Sequence, residues 1–177
     1  MKATQLLIQE HKLILRSLDI LDAMGAAVEK TGTLEESDVE KILDFLRWFA
    51  DAHHQAKEET ILFPALRIAA ASQERVVEHM TLEHDQDRTL IEEMEKDLRL
   101  ARIPEFVTKA QRLSSALRNH IYKEDQILFE TVDELLSPSE DEAVFAMLSR
   151  FDTEMDKRVL EERLNELRSL EWKYLRK

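Results

Sequence analysis

The chain has 177 residues, two glycines, three prolines, no cysteine and a formal net charge of -12. That length suits one domain with a sizeable core, and so few helix breakers favour long helices. Without cysteine there is no disulfide, zinc-thiolate or iron-sulfur site, so any metal must be held by nitrogen and oxygen, and the negative charge disfavours nucleic acid and anionic membrane, which demand a positive footprint.

The opening run MKATQLLIQEHK reaches a charge at Glu10 too soon for a secretory signal, and no run of ~18 apolar residues could span a bilayer, so the expected location is the cytoplasm. A first helix is predicted from about Thr4 to Glu29, with Leu7, His11, Ile14, Leu18 and Leu21 on one stripe. Ser37 followed by Glu40 has the spacing of a capping box for a second helix, about Asp38 to Leu62, with Pro64 at its end or at a kink. Its stripe of Leu43, Leu46, Ala50, His54, Glu58 and Ile61 mixes apolar residues with a histidine and a glutamate. Ser72 is the expected N-cap of a third helix, Gln73 to Ala101, with Val77, Met80, His84, Ile91 and Met94 inward. Pro104 opens a fourth, running to about Leu136, with Leu113, Leu117, His120, Glu124 and Leu128 on its stripe. Ser139 and Glu142 then point to a cap for a fifth helix, Glu140 to Leu175, which carries no histidine.

The stretch His54 to Phe63 returns as His120 to Phe129 with six of ten positions identical. In each copy a histidine precedes a glutamate by four residues, and at 3.6 residues per turn imidazole and carboxylate share one helical face. Unpaired polar groups on a buried stripe are costly. Any single histidine on an apolar stripe is more often a hydrogen-bonded core residue than a ligand, but four on four stripes, two with a carboxylate one turn away, reverse that balance. These elements predict an all-α, up-down-up-down four-helix bundle over residues 1–136. Residues 137–177 form an additional helix that packs on the bundle or joins two protomers as a homodimer contact. The metal ligands would be His11, His54, Glu58, His84, His120 and Glu124. Six nitrogen and oxygen ligands suit iron, manganese or zinc, are too many for one tetrahedral zinc, and fit two metals joined by both carboxylates and an oxide or hydroxide.

The order His, His-x-x-x-Glu, His, His-x-x-x-Glu on successive helices resembles the haemerythrin-like (HHE cation-binding) family. That resemblance covers His11 to Phe129 and implies a non-haem di-iron centre held by His11, His54, His84 and His120 and bridged by Glu58 and Glu124. Ferritin-like helices fit less well, since there the glutamate precedes the histidine by three. The family's oxygen carriers place a fifth histidine one turn after the third-helix ligand, where this chain has Arg88, so reactions with dioxygen, nitric oxide or peroxide are implied in place of reversible oxygen carriage. A sensor or scavenger of such a molecule, an iron store or donor, and a structural interaction module without metal chemistry are the three functions to separate, with turnover left open.

Among the neighbours, His53 and His79 read as surface or supporting groups, and Lys57 and Lys123 as solvated cations. Tyr122 reads as a packing residue. Glu59 and Asp125 should point ~100° away from the bridges, with Asp125 the rival to Glu124 as a bridging carboxylate. Arg88 is either a salt-bridge partner of a supporting carboxylate or a guard at the site's entrance.

Overall fold

Helix α1 (Ala3–Thr31) buries Leu7, His11, Ile14, Leu18 and Leu21 on one face. It ends where Gly32 turns left-handed at φ 70° and returns its N–H to the Val28 carbonyl at 2.7 Å, a conformation that glycine adopts without steric cost. The computed structural model describes residues 2–176, so Met1 and Lys177, the outer ends of the two predicted segments, lie outside the described residues.

The second rod, α2 (36–69), begins two residues before the predicted start and continues past Pro64 to Ala69. Its first residue is Glu36, and the expected Ser37–Glu40 capping box does not form. Two stretches of the rod, Leu46–Gln55 and Glu58–Leu62, are wound as π-helix. Phe63 N–H donates to the Glu58 carbonyl five residues back, which opens the turn ahead of Pro64 and lets a residue without an N–H sit in an unbroken rod. Helix α3 (Glu74–Arg99) follows a 3-10 turn, Ala71–Gln73, in place of the expected Ser72 cap. Helix α4 (103–135) contains a third π stretch, Glu124–Leu128, in which Phe129 N–H reaches the Glu124 carbonyl. No proline follows there, so the widened turn belongs to the repeated motif and not to Pro64.

Short connections carry the chain up and down four times, and the four rods form a ring in which α1 contacts α2 and α4 while α3 contacts α2 and α4. The bundle holds two apolar clusters. One gathers Ile14, Leu18, Phe49, Ile91, Leu113 and Leu117; the other gathers Leu7, Phe63, Val77, Met80, Leu128 and Phe129. Between them every rod contributes a polar layer, and the four histidines and two glutamates of the predicted ligand set all lie in it.

The single fifth helix expected from the sequence is two helices. A capping box at Ser137 and Glu140, two residues earlier than predicted, starts α5 (Pro138–Glu154). The chain then extends at Met155, and the Asp156 side chain accepts from Arg158 N–H to start α6 (Lys157–Leu175). Helix α5 buries Val144 and Leu148 in the second cluster, and α6 buries Leu167 and Leu170 in the first. Polar ties reinforce both: Ala3 N–H donates to Asp141 Oδ1 at 3.0 Å, and Tyr174 Oη donates to the buried Asp38 at 2.8 Å. Among the described residues no helix is long and apolar enough to cross a membrane.

Candidate metal centre

All six predicted ligands converge in the polar layer. His11, His54, His84, His120, Glu58 and Glu124 are each 3% exposed or less, and their ligand atoms form two groups that share both glutamates. Glu124 turns Oε2 to His11 Nε2 and Oε1 to His120 Nε2, each at 3.2 Å. Glu58 turns Oε1 to His54 Nε2 at 3.4 Å and Oε2 to His84 Nε2 at 3.5 Å. Each carboxylate thus spans the two imidazole pairs. Within the pairs the ring centroids are 4.5 Å apart for His11 and His54, and 4.7 Å for His84 and His120.

Every outward-facing imidazole nitrogen is held by a carboxylate from a neighbouring rod. His11 Nδ1–H donates to Asp125 at 2.7 Å, His54 to Glu10 at 2.8 Å, His84 to Glu59 at 2.7 Å and His120 to Glu83 at 2.8 Å. A proton fixed at Nδ1 turns the Nε2 lone pair of a neutral ring inward, the arrangement that orients and strengthens metal-ligating histidine. The phenyl rings of the repeated motif finish the packing: Phe129 stacks on His11 and Phe63 on His84, at 5.5 and 5.9 Å.

Nothing in the sequence alone assigns these four outer carboxylates to the backs of the imidazoles. Glu10 and Glu83 each directly precede a ligand histidine, yet each serves the histidine of the following rod and not its own neighbour. Glu59 and Asp125 do leave the centre, as the ~100° step between helical neighbours requires, but each turns to the back of an imidazole on an adjacent rod. Asp125 is therefore engaged outside the layer, while Glu124 is fully buried inside it.

The supporting cations differ from expectation in one half. Lys57 is not solvated: it is fully buried, and its ammonium donates to Glu10 and to Asp152 of α5, the latter at 2.8 Å. Lys123 donates to Glu83 and remains partly exposed. His53 is buried against Glu10 and Asp152 at 3.3 and 3.0 Å, whereas His79 lies on the surface beside Glu83. Tyr122 is exposed and makes no packing contribution to the core. Of the two readings of Arg88, the salt bridge is the one observed, since its guanidinium joins Asp51, Asp85 and the Glu59 that holds His84.

The electrostatics follow from the same contacts. Burial works against charge on His11, but the Asp125 carboxylate that accepts from its Nδ1–H and the negative charge of the adjacent Glu124 overcome it and raise its pKa to about 10. His120 is likewise raised, burial being outweighed by Glu124 and Glu83. His54 falls to about 4 through burial and the charge on His11, and His84 is lowered by burial and by His120. Hence His120 Nε2–H donates to His84 Nε2 at 3.0 Å. Burial and the neighbouring Glu124 raise Glu58, while Glu124 stays anionic between two imidazolium rings despite its burial.

The donor set fits a pair of metal ions on an observation independent of spacing. His11 Nε2 and all four oxygens of Glu58 and Glu124 are buried without a hydrogen-bond partner, and a cation is the group that would satisfy them together. A comparison with curated proteins finds no match. Residues 2–132, well over half of the chain, match the description "Hemerythrin HHE cation binding domain". The chain belongs to the hemerythrin HHE cation-binding family.

Proposed function

We propose that the protein is a cytoplasmic, non-haem di-iron protein that binds a small molecule, dioxygen, nitric oxide or peroxide, as a sensor or scavenger. The observation that carries this reading is the spanning geometry of Glu58 and Glu124, each with one oxygen toward each imidazole pair. Iron suits a mixed imidazole and carboxylate set, and a pair of irons would supply the redox and ligand-binding chemistry. The protein's own part is positional. Four outer carboxylates fix the imidazoles, the two inner carboxylates join the halves, and the apolar clusters on either side limit water. Residues 1–136 are on this reading the metal-holding unit and 137–177 its brace.

Metal analysis by plasma mass spectrometry with a visible spectrum, on protein grown without added metal, tests the proposal. About two irons per chain with charge-transfer bands of a bridged pair are expected. Zinc alone, or no metal, would overturn it and favour a structural module, while iron lost readily to a weak chelator from an intact fold would favour a store or donor.

Metal binding should also release protons, because the raised His11 and His120 hold theirs near neutrality in the metal-free protein and must lose them to act as ligands, and the raised Glu58 works in the same direction. Affinity therefore rises with pH. The fold without metal moves the other way. His11, raised from 6.5 to about 10, contributes stability that is complete below pH 6.5 and lost as pH climbs to about 10. The gap in melting temperature between loaded and metal-free protein should widen across that window, as calorimetry at stepped pH would show.

A further inference from the structure

Among the described residues, one buried polar atom without a partner lies outside the six ligands, Oδ2 of Asp87. Asp87 is 4% exposed and stands on α3 three residues after His84. The repeat shows what that position needs for folding alone. Three residues after His11 comes Ile14, equally buried and packed in the apolar cluster. The carboxylate in the other half is therefore not required by the bundle, and a buried oxygen without a partner costs free energy that an aliphatic side chain avoids.

The surroundings of Asp87 supply the reason. It lines a groove of about 370 Å³ between α3 and α4, together with the exposed Gln86, Thr89, Arg112 and Ala116. On its inner side it feels the charges of His120 and Glu124. Asp87 thus stands between a groove on the surface, of mixed polar and apolar lining, and the His84/His120 half of the centre. No equivalent carboxylate stands in the His11/His54 half, where Ile14 occupies the corresponding place.

We propose that this groove is the access route to the centre and that Asp87, at its floor, hydrogen-bonds and positions a protic ligand, hydrogen peroxide, at the His84/His120 half. This rests on the di-iron reading and narrows it. Peroxide donates and accepts hydrogen bonds, so it gains from a groove that ends in an unpartnered carboxyl group. Dioxygen and nitric oxide carry no hydrogen, so they cannot donate to the carboxylate and gain less there. Burial, reinforced by Glu83 and Glu124 and opposed by His120 and Arg88, holds the Asp87 carboxyl at about 7, so it can meet such a ligand as acceptor or as donor.

The test compares the iron-loaded native protein with Asp87→Ile, Asp87→Asn and Ala116→Trp by stopped-flow mixing with hydrogen peroxide and, separately, nitric oxide. Asp87→Ile should slow the peroxide reaction about tenfold, the worth of one hydrogen bond to a charged group, and leave nitric oxide binding within about twofold. Asp87→Asn, which keeps an amide at the site, should recover part of that loss. Ala116→Trp, which narrows the groove, should slow both ligands. Without metal, Asp87→Ile should melt above the native chain, because isoleucine there needs no partner. An unchanged peroxide rate in Asp87→Ile, unchanged rates in Ala116→Trp, or a lower melting temperature for metal-free Asp87→Ile would each overturn the proposal. Iron content separates the two levels: native protein without an iron pair sinks the di-iron reading itself, whereas full iron with indifferent variants sinks only the function given to Asp87 and the groove.

Discussion

Glu58→Leu should bind less metal than the native protein and yet, stripped of metal, melt at a higher temperature. Both Glu58 oxygens are fully buried without a hydrogen-bond partner, and its pKa is raised because burial and Glu124 disfavour a second negative charge. Leucine fills a similar volume and needs no partner, so the metal-free fold should gain about 1–3 kcal/mol, the usual cost of one unsatisfied buried group. For a chain of this size that is roughly 2–10 °C in melting temperature. Glu124→Leu should behave oppositely without metal. Glu124 is the anion between the protonated rings of His11 and His120, and removing it strands buried positive charge at a cost of about 3–5 kcal/mol. Both variants should lose the metal pair. Calorimetry of chelator-treated protein alongside metal analysis would read both effects, and retention of two metals by Glu58→Leu would take Glu58 out of the ligand set.

Lys57→Met and Lys123→Met should differ in cost although the two lysines occupy the same place in the repeat. Lys57 is fully buried and bound by two carboxylates, Glu10 from α1 and Asp152 from α5. Methionine there leaves both carboxylates without their cation, at a cost of about 3 kcal/mol or more for a broken buried pair. It also frees Glu10, which holds His54, so metal affinity should fall with stability. Lys123 is partly exposed and pairs with Glu83 alone, a contact worth about 1 kcal/mol or less. Urea unfolding of the two variants decides the matter, and equal losses would mean that α5 contributes nothing to the Lys57 site.

The ligand set was legible because its signal is periodic: four histidines on four apolar stripes, two with glutamate a turn away, admit few arrangements other than convergence. The burial of Lys57 is not local: one of its two carboxylate partners, Asp152, lies 95 residues along the chain, and nothing nearby marks a lysine followed by two glutamates as buried. The break between α5 and α6 left only a weak trace, an Asp156 able to cap with no glycine or proline beside it. Nothing in the sequence marks Glu10 and Glu83 as partners of His54 and His120, since that pairing is set by how the rods face one another. Asp87 could have been found by aligning the two halves and asking why an aspartate replaces Ile14.

The π-wound stretches at Glu58–Leu62 and Glu124–Leu128 have a consequence for how this centre tolerates change. A turn closed by a bond to the fifth residue back holds one residue more than an ordinary turn, so part of the information in the motif is a count. Deleting one residue from either stretch would either narrow the turn, shifting the residues within it off the faces they now occupy, or leave it wide and rotate everything downstream by about 100°, carrying Phe63 or Phe129 off the ring it covers. Side chains around the centre can be exchanged one at a time with graded losses, but the spacing is all or nothing. Insertions and deletions confined to these ten residues should therefore be far more damaging than any single replacement among their surface-facing members.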